Sequence, residues 1–170
     1  MFNLNDNLQN KKILIYGYGK SGQASFKYLK KNNKISIYDD NKKVNKSYIS
    51  FKKIRISEFD YIILSPGIDI NKCKLKNYIK KNKRKIVTDL DIFHLNNPKN
   101  LKITITGTNG KSTTAKLLFK ILKDQNKDVK LVGNIGIPVL SRNKINPSTI
   151  FVIEASSYQI DYSQYFNTDY

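Results

Sequence analysis

An α/β fold built on parallel sheets is predicted by three observations. Short apolar runs alternate with amphipathic stretches along most of the 170 residues, the order of strand, crossover helix and strand that builds a doubly wound sheet. Two glycine-rich segments, GYGKSG at 17–22 and GTNGKST at 107–113, each follow an apolar run and open an amphipathic one. A polar break containing Asn and Pro, HLNNPKN at 94–100, separates the two series.

In chain order, KKILIYG gives a buried strand at 13–16, and Gly22, Ser25, Phe26 and Leu29 recur at helical spacing, so a helix starts inside the first glycine loop. ISIYDD is the second strand. A third, 61–64, is ended by Pro66 and Gly67, a helix follows around Leu75 and Ile79, and KIVTD is a fourth strand. After the break come strand LKITITG, a helix at 112–123 with Ala115, Leu118, Phe119 and Leu122 on one face, and strands at 129–132 and 150–153. The expected domains are a Rossmann-like one at 1–96 and the first part of a phosphate-loop α/β domain at 97–170. Three strands alone leave the second sheet with an expected open edge and uncovered helix faces.

The formal charge is +18, from 31 Lys and Arg against 13 Asp and Glu. Lysine pairs such as Lys30–Lys31 and Lys80–Lys81 are scattered along the whole chain, which describes a solvated basic surface and no dedicated nucleic-acid face. Tyr and Phe are numerous but read as unclustered. One cysteine, Cys73, allows no internal disulfide and has no metal-ligand spacing, which suits a reducing cytoplasm. No apolar run reaches signal-peptide or membrane-spanning length, so a cytoplasmic protein without membrane insertion is expected. The lone His94 reads as a solvated or capping residue.

The chemistry concentrates in the loops. Gly107, Thr108, Asn109, Gly110, Lys111, Ser112 and Thr113 make a phosphate loop: backbone N–H groups and a helix N-terminus attract phosphate oxygens, Lys111 adds a cation, and Ser112 or Thr113 can ligate Mg²⁺. The leading glycine of the usual G-x-x-x-x-G-K-[ST] pattern is replaced by Ile105, which is expected to be the buried end of the preceding strand. Glu154, at the carboxyl end of an apolar strand, has the pattern of a metal-binding acid beside such a loop. GYGKSG is followed about 20 residues on by Asp39 and Asp40, where a carboxylate bonds a ribose hydroxyl. NAD satisfies those groups, and so does a nucleoside diphosphate attached to something else.

Taken together, GYGKSG, YDD, SPGI at 65–68, TDLDIF at 88–93, TGTNGKST, GNIGIP at 133–138 and EASSYQID at 154–161 resemble the Mur ligase family over nearly the whole chain, and within it the branch that adds D-glutamate. The family's phosphate loop, G-T-N-G-K-[ST], accounts for Ile105. The resemblance implies that Gly19, Lys20, Ser21, Asp39, Ser65, Pro66 and Gly67 hold the uridine diphosphate part of a substrate. It also implies catalytic roles for Lys111, Asn134 and Glu154, with Mg²⁺ on Ser112 and Glu154 and with Ser156 lining the same pocket. ATP and Mg²⁺ are the implied cofactors. UDP-N-acetylmuramoyl-L-alanine and D-glutamate are the implied substrates, joined through an acyl phosphate into a peptidoglycan precursor by an enzyme that is a monomer at full length.

Two departures from the family pattern stand out. Asp40–Asn41 replaces a frequent Thr-Arg, and the chain stops before the rest of the family's central domain and its closing domain, so a truncated chain, inactive alone, is expected. The competing readings are another Mur-type amino-acid ligase and a non-catalytic nucleotide- or NAD-binding module. Folate-type ligases share the GTNGK loop but lack the GYGKSG domain.

Overall fold

The computed structural model describes residues 8–41, 47–141 and 145–170. Its first sheet contains β1 (Lys12–Tyr16), β2 (Lys34–Tyr38), β3 (Tyr61–Leu64) and β4 (Ile86–Thr88). They are parallel in the order β2-β1-β3-β4 and are connected through α1 (Lys20–Leu29) and α2 (Lys76–Lys81). α3 (Asp89–Asn96) leaves β4 directly, on a capping box between Thr88 and Asp91. The second sheet contains β5 (Lys102–Ile105), β6 (Val129–Gly133) and β7 (Ile150–Glu154), parallel in the order β5-β7-β6, with α4 (Lys111–Asp124) and α5 (Ser157–Tyr162).

The strands of the first sheet read as apolar runs because both of its faces are covered. Ile13, Leu14, Ile15 and Tyr16 are all fully buried. Ile13 and Ile15 face a cluster with Ala24, Leu29 and Phe93, while Leu14 and Tyr16 face another with Tyr38, Leu75 and Ile79. The first cluster continues into the second sheet through Val132 and Phe151, and the Phe93 and Phe151 rings meet edge-to-face at 4.8 Å. One apolar core therefore joins the two sheets.

The structure corrects several sequence expectations. His94 to Asn96 belong to α3, so the break between the sheets starts later than HLNNPKN suggests. His94 is half-buried. Its Nδ1 is buried with no hydrogen-bond partner, and burial, followed by the charge of Lys102, lowers its pKa. Lys102 departs from the solvated-lysine pattern: it is 1% exposed and donates from Nζ to Asn100 O at 2.8 Å. The aromatics do cluster, since Tyr38 lies against Tyr16, Tyr48 and Phe51 with ring centroids 5.1–6.5 Å apart.

The edges of the second sheet are partly covered. Thr104 N donates to Tyr170 O and Asp169 N to Lys102 O, which lays residues 168–170 along β5, while Ile137 bridges to Val132 on β6. The helix faces are open as expected: Leu117 and Ile121 of α4 are 58% and 46% exposed. The segment after α5 docks on the first sheet through the fully buried Asp91, whose Oδ1 accepts Tyr165 N at 2.7 Å and Phe166 N at 2.9 Å. Among the described residues, no helix is long and apolar enough to cross a membrane.

Candidate active site

The loops at the carboxyl ends of both sheets meet around a cavity of about 810 Å³, where open α/β sheets place ligands. One wall comes from the first sheet: Gly17, Gly19, Lys20, Ser21, Asp39 to Asn41, and Ser65 to Asp69. The other comes from the second sheet, chiefly Gly133 to Gly136, Pro138 and Lys116. Lys72 and Cys73 also line it.

On the first wall the glycine loop is held by its neighbours. Gly22 is buried where a Cβ would collide with Gly17 O, so only glycine lets α1 begin this close to the strand. Gly19 is the N-cap of α1 and provides no side-chain cap, which leaves the helix N-terminus available to an anion. Asp39 and Ser65 line the cavity, yet their side chains already shape it. Asp39 Oδ2 accepts Tyr18 N at 2.8 Å and Oδ1 accepts Asn41 N at 2.9 Å, while Ser65 Oγ donates to Gly17 O at 2.7 Å.

Asp40 was missed as a structured group. Its carboxylate accepts both Tyr16 Oη at 2.6 Å and Tyr38 Oη at 2.8 Å. Burial, and then this carboxylate, raise the pKa of both phenols, so they stay protonated donors.

On the second sheet, Ile105 ends β5 opposite Glu154 of the central strand, and Gly133 of β6 pairs with Glu154 from the other side. This register sets the phosphate loop, Glu154 and the GNIG turn side by side. Ile105 is a strand residue, as its place before a shorter loop suggested, but it is only half-buried because β5 lies at the sheet edge. Gly133 has φ +106, and a Cβ there would strike Glu154 O. Asn134 N donates to that same carbonyl at 2.9 Å, fixing Asn134 at the cavity.

Gly110 is the left-handed N-cap of α4, again without a side-chain cap. Lys111 Nζ bends back onto Gly107 O at 2.6 Å, within the loop it would share with phosphates. Ser112 Oγ donates to Glu154 Oε2 at 2.7 Å, and Glu154 is 5% exposed. Among the described residues no group of three or more His, Cys, Asp or Glu could hold a metal. One carboxylate and one hydroxyl in contact nevertheless fit Mg²⁺, which is bound through few protein oxygens and completes its shell with water and phosphate.

Behind the two walls runs a buried link that the sequence did not reveal. Gln159 Nε2 donates to Asp89 Oδ1 at 2.9 Å, and these residues are 2% and 3% exposed. Burial raises the Asp89 pKa to about 6, opposed by the Gln159 amide, by the backbone N–H groups at the start of α3 and by the Ser21 hydroxyl. Ser156 and Gln159 form a capping box of S-x-x-Q pattern, a signal the sequence carries but that does not announce the partner of Gln159.

Comparison with known proteins gives the family. The Mur ligase middle domain matches residues 105–169. The UDP-N-acetylmuramoylalanine–D-glutamate ligase of Francisella philomiragia is 38% identical over 92% of this chain and 36% of its own length. The ligase of the same name from Rickettsia prowazekii is 35% identical over 90% of this chain and 36% of its own, and that of Caldicellulosiruptor bescii is 34% identical over 94% and 38%. The chain thus spans a little over a third of the length of these relatives. With the phosphate-loop register, the Glu154–Ser112 pair and these matches in agreement, the chain belongs to the Mur ligase family.

Proposed function

We propose that these residues are the UDP-substrate wall and the adjoining phosphate loop of an ATP-dependent ligase that adds D-glutamate to UDP-N-acetylmuramoyl-L-alanine in the cytoplasm. The observation that carries the reading is the contact between Ser112 and Glu154 at the end of the central strand, next to a cavity walled by a second glycine loop. The ligase name of the relatives supplies the substrates. The residues divide at about 96/97 into a substrate domain and the matched segment of an ATP domain.

Each residue has a task in this reading. The uncapped N-termini of α1 and α4 face anions, the first a diphosphate together with Lys20 and Ser21, the second the phosphates of ATP. Gly67 and Pro66 close the first wall with Ser65, whose hydroxyl holds the glycine loop. Thr108, Asn109 and Thr113 complete the phosphate loop. Lys111 swings from Gly107 O to the transferring phosphoryl group, where its charge is stabilising without covalent chemistry. Asn134, fixed through its backbone, presents its amide to the acyl end of the substrate. Ser112 and Glu154 would hold Mg²⁺, which supplies charge neutralisation on phosphate oxygens.

Calorimetric titration of the 170-residue chain tests the substrate assignment. Saturable 1:1 binding of UDP-N-acetylmuramoyl-L-alanine in preference to NAD is expected. Preferential binding of NAD would sink the reading and favour a dinucleotide module.

A further inference from the structure

We infer that Asp89 is a positioning residue that sets the two walls of the cavity against each other, so that a ligand spanning both walls depends on it more than one confined to the first. The inference rests on the reading that the cavity takes a nucleoside diphosphate carrying a further group.

Toward the second wall, Gln159 uses both ends of its amide. Nε2 donates to Asp89 Oδ1 at 2.9 Å, and Oε1 accepts Ser156 N at 3.3 Å. Ser156 lies two residues beyond Glu154, in the turn that leaves the central strand. Toward the first wall, the Ser21 hydroxyl is close enough to favour the charged form of Asp89, and Ser21 opens α1 and lines the cavity. Hydrogen bonds therefore run from the segment that carries Glu154 through Gln159 to Asp89, which opens α3 directly after β4 of the first sheet.

The link is directional where its surroundings are not. Neighbouring Leu90, Ile92 and Phe93 of α3 join the sheets by apolar packing, whose driving force is non-directional. A buried carboxylate carries a desolvation cost, visible in its raised pKa, and breaking such a contact from one side leaves a polar group without its partner. The other buried acid of α3, Asp91, is engaged with Thr88, Tyr165 and Phe166, so it docks the C-terminal segment and takes no part in this link.

The test titrates wild-type chain and the variants D89L, D89N and Q159L with two probes, UDP and UDP-N-acetylmuramoyl-L-alanine. D89L and Q159L are expected to weaken the longer ligand about tenfold or more, the scale of a lost hydrogen bond to a charged group, and UDP less than about threefold. D89N keeps an acceptor for Gln159 Nε2 and is expected to restore the longer ligand to within about threefold of wild type. If D89L does not fold, Q159L breaks the same link from the other side.

Equal losses for both ligands, or none, overturn the inference while leaving the functional reading intact. A wild-type chain that binds neither ligand overturns both.

Discussion

Ser112 Oγ reaches Glu154 Oε2 at 2.7 Å across 42 residues of chain, joining the first turn of α4 to the end of β7. Glu154 is 5% exposed, so its carboxylate depends on such donors for the hydration it has lost. S112A is expected to destabilise the ligand-free chain by about 1–3 kcal/mol. Adding S112A to an E154Q background should cost less than it does alone. Urea denaturation of the four proteins of this double-mutant cycle measures the coupling. A coupling indistinguishable from zero would show that the pair contributes nothing to stability.

The two glycines of the first loop should respond differently to alanine. At Gly22 the new Cβ meets the Gly17 carbonyl, backbone that cannot step aside, and a loss on the order of 2–4 kcal/mol is expected. At Gly19 nothing lies within 4 Å and φ is −73°, so G19A should cost no more than about 1 kcal/mol, the penalty of alanine at an N-cap. Thermal unfolding of both variants checks the contrast, and equal effects would contradict the packing described.

Much of this was legible in the sequence, for a physical reason. Buried parallel strands must be apolar runs, and loops that hold phosphate need glycines followed by a helix, so both leave local marks. What escaped notice depends on residues far apart: Asp89 and Gln159 are separated by 70 positions, and no periodicity announces their contact. HLNNPKN misled because Asn reads as a breaker, whereas Asn96 and Asn97 close α3 by donating from their side chains to Ile92 O and Phe93 O. Asp39 was legible as a strand-end acid, but its bonds to loop amides were not.

Asp89 gives the chain a defined pH dependence. Its pKa in the fold, about 6, lies above the ordinary carboxylate value, so the native state holds the proton more tightly than the unfolded chain. The associated stability is fully present below about pH 4 and is lost as pH rises through about 6. D89N has no such titration. Its melting temperature relative to wild type should therefore rise between pH 4 and pH 7, by the equivalent of about 2 kcal/mol. Taking the difference between the two proteins cancels His94, whose lowered pKa acts in the opposite direction. A difference that stays flat across this range would show that Asp89 is not perturbed.

The loop from Gly107 to Thr113, with Glu154 beside it, is expected to bind the phosphates of ATP with Mg²⁺. Isothermal titration of the chain with ATP tests it most directly, run with Mg²⁺, with chelator, and on K111A. Saturable 1:1 binding is expected that needs Mg²⁺ and is weakened about tenfold or more in K111A, the scale of a lost charge-assisted contact to phosphate. Binding that is unchanged by chelator and by K111A, or no saturable binding to a folded chain, would contradict it.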